Sequence, residues 1–157
     1  MGGTIRNLAM AILVLGIIGA VMGATFIGIG AMRDSQVKAE MRAENVTLGN
    51  LGVTGTDADK VIDSMSTAEK AANTIKEHRH GIAPSYEELL GDGRFDPTNP
   101  KHLSYSQAIN LENYLYLGVL ALGLTSVTMA SGAFMILTGA ALVATGLVLR
   151  KLTPATP

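Results

Sequence analysis

Charge is distributed along this chain in blocks. No Asp, Glu, Lys, Arg or His falls between Leu8 and Met32, a run of 25 residues, nor between Tyr114 and Leu149, a run of 36. A charge-free segment of about 18 residues or more reads as membrane-spanning, because hydrocarbon accepts apolar side chains on a self-bonded helix and little else. Between the two runs lie roughly 80 residues in which charges surround short apolar stripes. The pattern predicts an all-α integral membrane protein with two or three transmembrane helices and a soluble helix-and-loop segment between the first and second. The divisions it suggests are a leader over 1–7, a membrane helix over 8–32, the soluble segment over 33–113, membrane helices over 114–130 and 133–150, and a disordered tail over 151–157.

The second apolar run sets the number of spans. One helix over 114–149 would be ~54 Å long at 1.5 Å per residue, against a hydrocarbon core of ~30 Å. Division at Ser131-Gly132 gives two spans of about 17 residues, and Thr125, Ser126, Thr128 and Ser131 could satisfy a tight turn there. Three spans is therefore the favoured reading. The alternative is one long helix over 114–150: Gly118, Thr125, Gly132, Gly139 and Gly146 keep a seven-residue register that a turn would have no reason to preserve. With three spans the central segment shares a side with Arg150 and Lys151, and the positive-inside rule places it in the cytoplasm. With two, the termini share a face carrying only basic charges and the central segment is extracytoplasmic.

Within that segment, Val61, Met65, Ala68, Ala72 and Ile75 form one stripe, predicting a helix over 57–80 with Thr56 as its cap and Gly81 as its stop. Ser66-Thr-Ala-Glu69 is a capping-box pattern that could divide it. A short helix follows Ser85, and Gly91 to Pro100 is dense in turn signals. Ser104 and Gln107 then suggest the start of the last helix, with Tyr114 and Tyr116 where an interfacial aromatic belt belongs.

Composition narrows the chemistry. The 157 residues carry a net charge of −1 and positive mean hydropathy. All 13 acidic residues lie from Asp34 to Glu112, and the stretch from Arg33 to Glu112 holds nine of the 12 basic ones, so it carries about −4. No basic block suggests nucleic acid. Cysteine is absent, which removes disulfides, thiolate ligands and a cysteine nucleophile. The leading apolar run is longer than a signal peptide's and its start is barely basic, so it reads as a retained span. Asn45-Val-Thr47 matches the glycosylation sequon, which carries weight only in a eukaryotic lumen.

Neither apolar run holds Asp, Glu, Lys, Arg or His, which argues against a pump or proton-coupled carrier acting alone. His78, His80 and His102 are weak metal-ligand candidates, since residues i and i+2 of a helix point apart; a solvated helix end whose cations complement the dipole is the better account of the first two. Asp92, Asp96 and Asn99 offer oxygens in one loop but lack the EF-hand spacing. No nucleophile-and-base signature and no phosphate-binding loop is present. The reading that follows is a non-catalytic accessory subunit of the cell membrane, without a cofactor. Its partners would be other membrane subunits, a second copy or both, in a lipid bilayer, with no nucleic acid. Helix packing would fall to Gly16, Gly19, Gly23, Gly30, Gly118, Gly139 and Gly146, with Gly19 and Gly23 forming a GxxxG pair. A membrane-anchored metal or redox protein using the three histidines and a homo-oligomeric channel are the alternatives.

Overall fold

The computed structural model describes residues 2–152. It holds four α-helices: α1 (Gly2–Ala43), α2 (Met65–Ile82), α3 (Tyr86–Leu90) and α4 (Pro100–Leu152), with one 3-10 turn at Gly49–Leu51. Among the described residues the only β pairing is an isolated antiparallel bridge between Thr47 and Val61. Two helices, α1 and α4, are long and apolar enough to cross a membrane. The chain divides into two compact units, Met1–Arg33 with Thr125–Pro157, and Asp34–Leu124. Both long helices contribute a segment to each.

The expected break at Ser131-Gly132 does not form; α4 continues through it to Leu152. The reason lies in the first unit, where α1 and α4 run antiparallel. Gly132 there lies against Gly23, Gly139 against Gly16, and Gly146 against Ala9, while Gly30 faces Thr125. Each step is seven residues on both helices, so a turn at Gly132 would end the contact midway. A seven-residue repeat is the one a left-handed helix pair maintains. The helix also extends past the predicted divisions at the other end. Residues 3–7 are helical and continuous with α1, and Lys151 and Leu152 still belong to α4. The rest of the predicted tail, 153–157, lies outside the described residues.

Division between units also accounts for a run of 36 apolar residues. Tyr114 to Leu124 belongs to the second unit, where Leu122 is buried and Leu115 and Val119 pack on the cluster of Leu48, Ile62, Ala68 and Ala71. That leaves residues 125–149 in the first unit, the same length as the charge-free stretch 8–32 opposite them. Each is ~37 Å long, enough to cross ~30 Å of hydrocarbon with some tilt.

In the second unit, α2 begins at Met65 rather than at residue 57. Ser64 is its cap: its hydroxyl accepts from the Thr67 N–H at 3.3 Å, and the Thr67 hydroxyl accepts from the Ser64 N–H at 3.1 Å. Residues upstream are drawn into a loop by backbone bonds from Ile62 N–H to Val46 O and from Leu48 N–H to Lys60 O, both 2.9 Å. Gly81 does not stop α2. The helix ends at Ala83, whose extended backbone is what the following Pro84 demands. Ala68, Ala71, Ala72 and Ile75 form its buried face. The short α3 starts after Ser85, whose hydroxyl accepts from Glu88 N–H, and its Leu89 joins Ala83 and Tyr105 in a second cluster. The last helix starts at Pro100, not near Ser104. Asn99 caps it, its side-chain oxygen accepting from the Lys101 N–H at 2.9 Å, and proline at the first helical position loses no hydrogen bond. At the end of α1, Asn45 takes a left-handed φ of 49° that turns the chain out of the helix.

Candidate functional site

Most of the glycines predicted to pack helices are brought together in the first unit. A Cβ placed on Gly16 would lie 2.7 Å from Gly139 O, one on Gly23 2.5 Å from Gly132 O, and one on Gly139 2.5 Å from Gly16 O. At Gly146 the nearest atom is Ala9 O at 3.0 Å, and at Gly30 it is the Met129 side chain at 2.6 Å. At Gly16, Gly23, Gly132 and Gly139 backbone meets backbone, an approach that a side chain at any of the four would block. Gly19 lies at its margin, with Gly139 Cα at 3.8 Å. Gly118 belongs to the other unit and faces the Met41 side chain at 3.6 Å. Ala9, Thr125 and Gly132 complete the seam; the seven-residue register already contained Gly132, but its use as a turn obscured its role. Thr25 and Thr145 return their hydroxyls to the carbonyls four residues earlier, as polar side chains in apolar helices commonly do.

The principal polar contact of the second unit lies between α2 and α4. Arg79 Nε donates to Glu112 Oε2 at 2.8 Å, with the two side chains only 13% and 12% exposed. One terminal nitrogen of Arg79 donates to the Tyr105 hydroxyl at 2.8 Å, and the guanidinium carbon lies 5.2 Å from that ring's centroid. The bond to Glu112 holds the Arg79 pKa above its ordinary value, against the opposing effect of burial. Tyr116 adds a hydrogen bond to Asn73 Oδ1 at 2.9 Å. All five groups are engaged in these contacts, three around Arg79 and two in the Tyr116–Asn73 pair, so the arrangement clamps two helices and leaves no base or nucleophile poised to react. The sequence held one signal for it: Tyr105, Glu112 and Tyr116 fall at spacings of seven and four, on one face of a helix.

The histidines do not converge. Among the described residues no group of three His, Asp or Glu side chains could hold a metal ion. His102 is buried, its Nδ1 accepts from the Asp96 N–H at 3.0 Å, and its ring stacks on Phe95 at 5.6 Å. His78 is exposed beside Gly52, and His80 is exposed at the end of α2. The loop oxygens are likewise committed. Asp96 accepts from the hydroxyl and N–H of Thr98, which hold its carboxyl below the ordinary value, and Asn99 caps α4.

One concave feature of the second unit has no internal partner. A cleft of about 520 Å³ opens between the end of α1, the loop that follows it and α4. Buried Ile62 and half-buried Met41, Leu51 and Leu115 line its inner part, and Glu44 and Tyr114 stand exposed at its rim. No protein-family model matches this chain, and no curated protein or solved structure matches it either.

Proposed function

We propose that this chain is a small, non-catalytic integral membrane protein whose α1 and α4 cross the bilayer as an antiparallel hairpin. It would act as an accessory subunit of a larger membrane assembly. The observation that carries this reading is the inverted arrangement of side chains in the first unit. Glycines are buried between the helices, while Leu15, Val21, Val127, Phe134 and Leu137 are 60% to 71% exposed. Water would oppose so large an apolar surface, whereas lipid accepts it and rewards close backbone packing.

With two spans, both termini share one side, which carries Arg6, Arg150 and Lys151 and no acid, and we read that side as cytoplasmic. Residues 34–124, with their excess of acids, would then be extracytoplasmic. Because the glycine seam is filled from within the chain, contacts with other subunits would use the outward apolar faces and the polar segment. The tight seam leaves no lumen within a single hairpin, so a channel would require several copies.

A chain without cysteine makes the topology directly testable. Single cysteines at Thr4, Asp92 and Lys151, all on exposed positions, are expected to give labelling of Asp92→Cys alone when intact cells meet an impermeant maleimide. Opposite accessibility of the Thr4→Cys and Lys151→Cys variants would overturn the hairpin. Migration of the gently extracted protein on a native gel at the mass of one chain would count against the subunit role.

A further inference from the structure

The cleft at the end of α1 has the composition of a ligand site. Its volume falls within the range of roughly 300–1,000 Å³ common to small-molecule pockets, and its walls are apolar with few polar groups at one place. The polar group is Glu44. Among the described residues this carboxylate makes no ion pair, whereas Arg42, Lys60 and Lys70 of the same unit are paired elsewhere, Arg42 with Asp63 at 2.7 Å and both lysines with Asp57. An unpaired negative charge beside the Tyr114 ring, at the mouth of an apolar cleft, selects against anionic amphiphiles and favours a cation.

We propose that this cleft binds a single aliphatic chain ending in an amine. The chain lies against Met41, Leu51, Ile62 and Leu115, and the ammonium meets the Glu44 carboxylate at the rim. The inference concerns residues 34–124 alone, so it stands apart from the reading of α1 and α4 as membrane spans.

The test uses the full chain in phosphatidylcholine nanodiscs with ¹³C-methyl methionine, titrated with octylamine, octanol and octanoate. The Met41 methyl signal, assigned by its loss in Met41→Leu, should shift saturably with octylamine. Exposed Met10 and Met22 should show only the gradual drift of partitioning into lipid. Octanol should bind about three- to fivefold more weakly than octylamine, as suits one exposed ion pair, and octanoate more weakly still. Glu44→Gln, an exposed change that leaves the fold intact, should bring octylamine to the level of octanol. Gly118→Leu, which projects a side chain toward Met41, should abolish the shift with both. Absence of a saturable Met41 shift would overturn the site, and equal affinities for the three head groups, or an unchanged Glu44→Gln variant, would overturn the amine.

Discussion

Adding a single methyl at Gly23 should loosen the α1–α4 pair, and the same methyl five residues later should not. A Cβ at Gly23 would sit 2.5 Å from Gly132 O and 2.9 Å from Ile136 N, where ordinary contact begins near 3.4 Å. Both atoms belong to backbone, so the helices must part locally by roughly 0.9 Å. Overpacking of this kind costs about 1–3 kcal/mol. Alanine's better helix propensity offers little compensation, because helices that separate in lipid remain helical. The pairing equilibrium should therefore fall roughly 5- to 150-fold. At Gly28 nothing lies within 4 Å of the added Cβ, so Gly28→Ala should change stability by less than about 0.5 kcal/mol. Combining Gly23→Ala with Gly132→Ala should cost less than the sum, since the first methyl already opens the gap that the second needs. The assay is SDS titration in mixed micelles, read by energy transfer between dyes on Thr4→Cys and Lys151→Cys, which the antiparallel register places side by side. Equal midpoints for the Gly23→Ala and Gly28→Ala proteins would refute the seam.

Two further outcomes concern the second unit. Glu112→Gln strands the nearly buried Arg79 charge; breaking a buried pair costs about 3–5 kcal/mol, and partial exposure places this one near the lower end. Amide exchange in α2 should accelerate roughly a hundredfold, while Arg79→Met combined with Glu112→Leu should recover most of the protection; a double variant as labile as the single one would contradict this account. Asp57 is held down to about 2 from 3.8 by hydrogen bonds from Lys60 and then Lys70. A depressed carboxylate stabilises the fold above its unfolded pKa and loses that contribution as pH falls. The loop at Asp57 should thus stay pinned at neutral pH and release between about 3.8 and about 2. A carboxyl ¹³C titration midpoint near 3.8, unmoved by Lys70→Met, would remove this pinning from the description.

What the sequence made legible and what it hid differ by the range of the interaction. Ser85 before Glu88 marked a helix start because a cap is satisfied within four residues. The same rule misled at Ser66 and Ser104, since Ser64 and Asn99 were equally competent and only packing chose between them. The histidines looked like candidate ligands because their spacing is visible in sequence. The hydrogen bond that occupies His102 comes from the Asp96 backbone, and a backbone donor leaves no mark on composition.

The sequence by itself determined the two charge-free segments, the seven-residue glycine register and the absence of Asp, Glu, Lys, Arg and His along both, because each follows from side-chain chemistry read in order. Only the tertiary structure decided that α4 runs unbroken, that Tyr114 to Leu124 serves the core of the second unit, and that the glycines of α1 meet those of α4. An apolar residue is equally content against lipid, a neighbouring helix or a folded core. Which of these it meets depends on what arrives opposite it, and that is settled by the whole chain at once.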